Sequence, residues 1–205
     1  MRVTGGRLGG RLLRSPQGTL RPTSDRVREA IFARLGETEG ARVLDLYAGT
    51  GALGIEALSR GAARAVFVER APRCLALLRA NLASLELESV SRVLRGDARR
   101  AVRRLGHAGE RFDLVLLDPP YDSGEAPLAL AALAEAGLLA PEGVLVVETA
   151  KRHPLPPMDG LLRLDERRYG DTLVTRLCPD PALARPRSPD RGGAPSPAVR
   201  GPRPA

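Results

Sequence analysis

Val43-Leu-Asp-Leu-Tyr-Ala-Gly-Thr-Gly-Ala-Leu-Gly54 is the stretch that decides how this chain folds. An apolar run of strand length passes into glycines and then into residues that suit a helix. The spacing Gly49-x-Gly51-x-x-Gly54 lets the backbone turn tightly against a ligand where the helix opens. S-adenosylmethionine and a dinucleotide both lie over the carboxyl ends of strands in sheets with such a loop, so the glycines alone do not separate the two.

Outward from this loop the chain alternates short β-rich apolar runs with helical stretches. Strands are predicted at 42–47, 64–69, 90–95, 112–118 and 143–149, and helices at 52–60, 72–85, 98–105 and 126–136. That alternation describes a parallel sheet covered on both faces. Residues 161–168 and 172–178 add an antiparallel pair. The expected fold is therefore α/β: a doubly wound, mostly parallel, seven-stranded Rossmann-like sheet with helices on both faces.

Before the sheet, residues 1–40 form a basic extension with eight arginines against Asp25, Glu29, Glu37 and Glu39. Gly5, Gly6, Gly9 and Gly10 flank pieces suited to a small hairpin, and Ser24 or Thr23 can cap a helix running to Leu35. Val27, Ile31 and Leu35 share one face of that helix. Arg21, Arg26, Arg28 and Arg34 are then expected to meet solvent or phosphate. After the sheet domain, 41–178, residues 179–205 hold eight prolines and almost no large apolar side chains, so this tail is expected to be disordered.

The 205 residues carry a formal charge of +8 and a pI near 10.7, which suits a polyanionic partner. Lys151 is the only lysine, so the preference for arginine is consistent with a GC-rich genome. Cys74 and Cys178 stand far apart without metal-ligand spacing, and His107 and His153 read as surface-loop residues; no metal is expected. No apolar run approaches the ~20 residues of a membrane span, and a cytoplasmic monomer is the expectation.

Four carboxylates sit where a cofactor would lie. Glu69 ends the second strand, where it can accept hydrogen bonds from ribose hydroxyls of either cofactor. Asp45 can face the cationic methionine end of S-adenosylmethionine, or cap the glycine loop. Asp97 can accept from an adenine amino group, cap the next helix, or do both. Asp118 opens Asp118-Pro119-Pro120-Tyr121 at the end of the fourth strand. Two prolines stiffen that turn and remove two N–H donors, leaving carbonyls that suit an amino group on a flat ring, and Tyr121 can stack on the base. Glu148, at the end of the fifth strand, reads as a solvated or capping residue outside the site.

Taken in order, Arg21-Pro-Thr-Ser-Asp-Arg-Val-Arg-Glu-Ala-Ile-Phe32, the stretch from Val43 to Ala62, Phe67-Val-Glu69, Asp118-Pro-Pro-Tyr121 and Tyr169-Gly-Asp-Thr172 make residues 1–177 resemble a known family. It is the bacterial small-subunit ribosomal RNA guanine-N2 methyltransferases. The resemblance implies S-adenosylmethionine as cofactor, held by Asp45, Ala48, Gly49, Gly51, Glu69, Asp97 and Ala98, with Thr23 and Arg26 near its carboxylate end. It implies that Asp118, Pro119, Pro120 and Tyr121 receive the base and act in catalysis, and that the partner is 16S ribosomal RNA or the assembling 30S subunit. The tail departs from the family's compact ending. Three other readings stay open: an adenine-N6 DNA methyltransferase, which shares the Asp-Pro-Pro-Tyr turn; a nicotinamide-dependent oxidoreductase, which gives that turn no task; and a non-catalytic RNA-binding module.

Overall fold

Each apolar run of the central region becomes a strand: β1 (Arg42–Leu46), β2 (Arg64–Glu69), β3 (Ser91–Arg95), β4 (Phe112–Leu117) and β5 (Leu139–Ala150), joined by β6 (Leu161–Tyr169) and β7 (Thr172–Pro179). The computed structural model describes residues 1–16, 24–36, 38–120 and 124–183. Thr23, Arg21, Tyr121 and all but the first few residues of the proline-rich tail lie outside them. The sheet order is β3-β2-β1-β4-β5-β7-β6, with β7 antiparallel to both its neighbours and the remaining pairs parallel. The predicted antiparallel pair forms, and its second strand inserts beside β5, leaving β6 at the edge.

β5 begins earlier than the sequence suggests. The predicted strand starts at 143, yet the ladder already pairs Phe112 with Leu139, slips, and resumes at Leu114 with Val144. The irregularity absorbs the extra residues while both ends stay paired.

Among the described residues five α-helices cover the sheet: α1 (Asp25–Leu35), α2 (Ala52–Ser59), α3 (Pro72–Ser84), α4 (Ala98–His107) and α5 (Glu125–Ala136). Strand alternation divides the core in two. Val43, Phe67, Leu116 and Val146 pack with α1, α2 and α3, and Leu44, Val68, Val115 and Val147 pack with α4 and α5. His107 closes α4 and does not lie in a loop. No helix among the described residues is long and apolar enough to cross a membrane.

In the N-terminal extension the expected hairpin shrinks to one bridge, Arg2 with Leu12, around a turn of 3-10 helix at Gly6–Leu8. Ser24 caps α1, its hydroxyl accepting from the Val27 N–H at 3.3 Å. Two arginines of α1, expected to meet solvent or phosphate, are ion-paired within the fold, Arg28 wholly out of solvent and Arg34 partly exposed. Arg28 is completely buried, donating to the Asp25 carboxylate (2.8 Å) and to the Arg2 carbonyl. Its Nε lies 4.0 Å from Glu56 Oε2, and Glu56, also fully buried, accepts from the Thr4 N–H (2.7 Å), the Thr4 hydroxyl (2.8 Å) and Arg60 Nε (2.8 Å). Arg34 donates to Asp165 (2.7 Å), which also takes the Arg176 guanidinium and is thereby held below the usual carboxylate range. These cations are consumed in fastening the extension and α1 to the sheet domain, because a buried guanidinium must find a counter-charge.

Candidate active site

The chain runs from β1 to β2 and β3 on one side of the sheet and returns to β4 on the other. The crevice at that switch point is where a doubly wound sheet binds its ligand. A cleft of about 830 Å³ opens there, over the carboxyl ends of β1, β2 and β4.

The glycine loop forms its floor. Tyr47, though not glycine, takes φ +60° as β1 ends, and its hydroxyl donates to Glu125 Oε2 at 2.9 Å. Gly51 has φ +86°, and a Cβ there would stand 2.4 Å from Leu78 Cδ1. At Gly54 a Cβ would fall 2.3 Å from Phe67 Cε1, so only glycine lets α2 approach β2 this closely. Gly51 is not among the residues lining the cleft; it shapes the turn from behind, while Ala48 and Gly49 line it.

The four predicted carboxylates come together on this cleft: Asp45, Glu69, Asp97 and Asp118 all line it. Glu69 binds two loops at once. Its Oε2 accepts from the Gly49 N–H (2.8 Å), and its Oε1 accepts from Arg70 N–H (2.8 Å) and Ala71 N–H (2.7 Å). Asp97 caps α4 by accepting from Arg100 N–H at 3.0 Å, and the residue also lines the cleft beside Ala98. Asp45, 1% exposed, accepts from the Gly54 N–H at 2.9 Å and still lines the cleft. Burial pushes its carboxyl up to about 8, the Gly54 N–H opposes that, and the charges of Asp118 and Glu69 add to the rise.

Asp118 follows the last residue of β4, with Pro119 buried and Pro120 exposed on the cleft wall. Tyr121 and Thr23 fall outside the described residues. Arg26 is exposed on the first turn of α1 and is not among the lining residues.

The sequence reading missed several lining residues: Pro16 of the extension, Tyr47, Cys74 on α3, and the Lys151–Asp171 ion pair (2.6 Å). None was singled out by the spacing of a cofactor motif. Glu148 was also misread as solvated, since it is only 1% exposed; it stands near the end of β5 and lines a second cavity beyond the Pro119-Pro120 turn. No cluster of His, Cys, Asp or Glu suited to a metal ion occurs among the described residues.

Residues 1–177 match the protein family described as Conserved hypothetical protein 95. Ribosomal RNA small subunit methyltransferase D of Escherichia coli (strain K12) is 35% identical over 179 residues, covering 86% of this chain and 88% of that protein. Among solved structures, a hypothetical protein of Thermus thermophilus superposes with a TM-score of 0.76 at 32% identity, over 88% of this chain and 99% of that one. The protein SMU.776, solved in complex with SAH, shares the fold at a TM-score of 0.61 and 17% identity, over 75% of this chain and 48% of that chain.

Proposed function

The chain belongs to the family described as Conserved hypothetical protein 95, and on that premise we propose that it is an S-adenosylmethionine-dependent ribosomal RNA methyltransferase acting on the N2 amino group of a guanine in 16S rRNA. The observation that carries this reading is the Asp118-Pro119-Pro120 turn standing on the wall of a cleft that Asp45, Glu69 and Asp97 also line.

The residues fit this cofactor. A cleft whose buried carboxyl is crowded by two further carboxylates favours a cation and repels a dinucleotide pyrophosphate. Asp45 would face the methionine end, Glu69 the ribose hydroxyls through lone pairs left over from its loop contacts, and Asp97 the adenine amino group. Gly49, Ala48 and Ala98 would let the adenosine lie close to the backbone. Thr23 and Arg26 complete the family's expected set near the carboxylate end. Bound there, S-adenosylmethionine supplies an electrophilic methyl group on a sulfonium, for which the amino nitrogen is the nucleophile.

That nitrogen is a poor nucleophile, because its lone pair is delocalised into the ring. Asp118 and the Pro119 carbonyl can accept its two hydrogens and favour a pyramidal nitrogen with the lone pair aimed into the cleft. The prolines bring no N–H to compete for those acceptors. Tyr121 offers a ring on which the base stacks. Positioning then supplies most of the rate, and no strong base is required.

The test is transfer of labelled methyl from S-adenosylmethionine to undermodified ribosomal RNA or 30S particles, with nucleoside digestion and duplex DNA as control. N2-methylguanosine is the expected product. N6-methyladenine in the DNA would move the acceptor and keep the chemistry. Cofactor binding without transfer to either would overturn the enzymatic reading.

A further inference from the structure

A second cavity, of about 450 Å³, lies beyond the Pro119-Pro120 turn and shares Pro119, Pro120 and Arg152 with the cofactor cleft. Its volume falls within the range of about 300–1,000 Å³ typical of small-molecule sites. Asp118 lines the cleft but not this cavity, so the acceptor amino group belongs on the other side of the turn.

The walls are apolar for the most part, with one hydroxyl and with the Glu125 and Glu148 carboxylates, which suit base N–H donors. Pro119, Pro120, Pro127, Pro154 and Leu155 present stiff apolar surfaces suited to the face of a flat heterocycle. Among them sits the hydroxyl of Thr149, which is 6% exposed and whose Oγ1 has no hydrogen-bond partner among the described residues. A buried hydroxyl without a partner carries a desolvation penalty that a ligand's polar edge would relieve. Thr149 lies on the strand alternation of Leu145 and Val147, the face packed with α4 and α5, where this cavity opens beside the start of α5. At the rim, Arg152 and His153 are exposed side by side, and the Arg152 guanidinium is a fixed cation suited to a phosphodiester backbone; Lys151, ion-paired to Asp171, faces the cofactor cleft.

We propose that this cavity is a second nucleotide site, which receives a base flanking the acceptor and reads its edge through the Thr149 hydroxyl, with Arg152 and His153 along the adjoining phosphates. The proposal rests on the reading of the chain as an RNA methyltransferase. It assigns sequence preference to a place separate from the reacting nitrogen, and Thr149 acts there as a specificity residue.

The test uses the full chain with Thr149→Val and Thr149→Ser, on the RNA that the wild type methylates. Thr149→Val should raise KM for RNA by about three- to tenfold, the worth of one hydrogen bond, with the loss absent from kcat and from the dissociation constant of S-adenosylmethionine. Thr149→Ser, which keeps the hydroxyl, should stay near the wild-type KM. Thermal stability of Thr149→Val should hold or rise, because an unsatisfied hydroxyl is removed; a purely structural threonine would lower it. Abasic substitutions placed one at a time around the acceptor should reveal one position that costs the wild type about three- to tenfold and Thr149→Val nothing further. An unchanged KM in Thr149→Val, or losses that simply add at every position, would overturn the site while leaving the methyltransferase reading intact. A wild type that methylates no RNA would bring down both.

Discussion

Two groups of buried charge in this molecule are built in opposite ways. At the junction of the N-terminal extension with α2, Arg28 and Glu56 are both completely buried, and Asp25 and Arg60 complete a set of alternating sign. At the floor of the cleft, Asp45 is 1% exposed and its electrostatic neighbours Asp118 and Glu69 carry its own sign. Balanced charges hold two parts of a fold together, since each offsets the desolvation cost of the other. Crowded charges of one sign oppose ionisation until a cation arrives. Burial does not distinguish structure from function here; the balance of sign does.

The largest effect is expected at the balanced group. Glu56→Ala takes from Arg28 its buried counter-charge and should cost about 3–5 kcal/mol in urea denaturation, with methyl transfer per folded molecule preserved. A loss below about 1 kcal/mol would mean that the pair is not what fastens the extension. On the crowded side, Asp118→Ala should lower kcat about 100-fold through misplacement of the acceptor and change cofactor affinity little, as calorimetry would read. Equal losses would move Asp118 from acceptor to cofactor.

The pH dependence sharpens the same contrast. Between its ordinary value of 3.8 and about 8, Asp45 keeps in the folded chain a proton that the unfolded chain has given up. Its contribution to stability therefore falls as pH rises through that window and is level above it. A cationic ligand favours the ionised form, so binding below pH 8 should release a proton. Affinity for S-adenosylmethionine should rise by up to about tenfold per pH unit towards 8 and then flatten. Calorimetry in buffers of different ionisation enthalpy would detect the proton, and Asp45→Asn should abolish both slope and release. Glu69→Ala, which frees three backbone N–H groups and a ribose contact, should weaken the cofactor by about tenfold with a smaller effect on kcat. The smallest effect is expected from Ser24→Ala, about 1 kcal/mol of stability from the lost cap of α1, with the cleft unaffected.

The parts of this architecture legible in the residues are those set by short-range chemistry. Apolar runs of strand length, the glycines from Gly49 to Gly54 and the Pro119-Pro120 pair act over a few residues. The strands, the glycine loop and the position of the cleft could therefore be read directly, and Asp45, Glu69, Asp97 and Asp118 all reached it. Asp45 and Asp97 form the caps that their places beside a glycine loop and a helix start suggested, and one carboxylate oxygen can do so while the residue still faces the cleft.

What lay beyond that reach depends on partners distant in the chain. Arg28 looked exposed because Glu56 is met only when the extension docks on α2. Tyr47 finds Glu125 across 78 positions. Glu148 looked solvated because nothing local announces that β7 will insert beside β5 and make it an interior strand, with Glu148 1% exposed. The sequence by itself determined the elements, the loop and the carboxylates of the cleft, since these follow from the conformational limits and polarity of adjacent residues. Only the tertiary structure decided which charges are spent on holding the fold and which remain for a ligand, because a charge is balanced or crowded by whatever the finished packing places beside it.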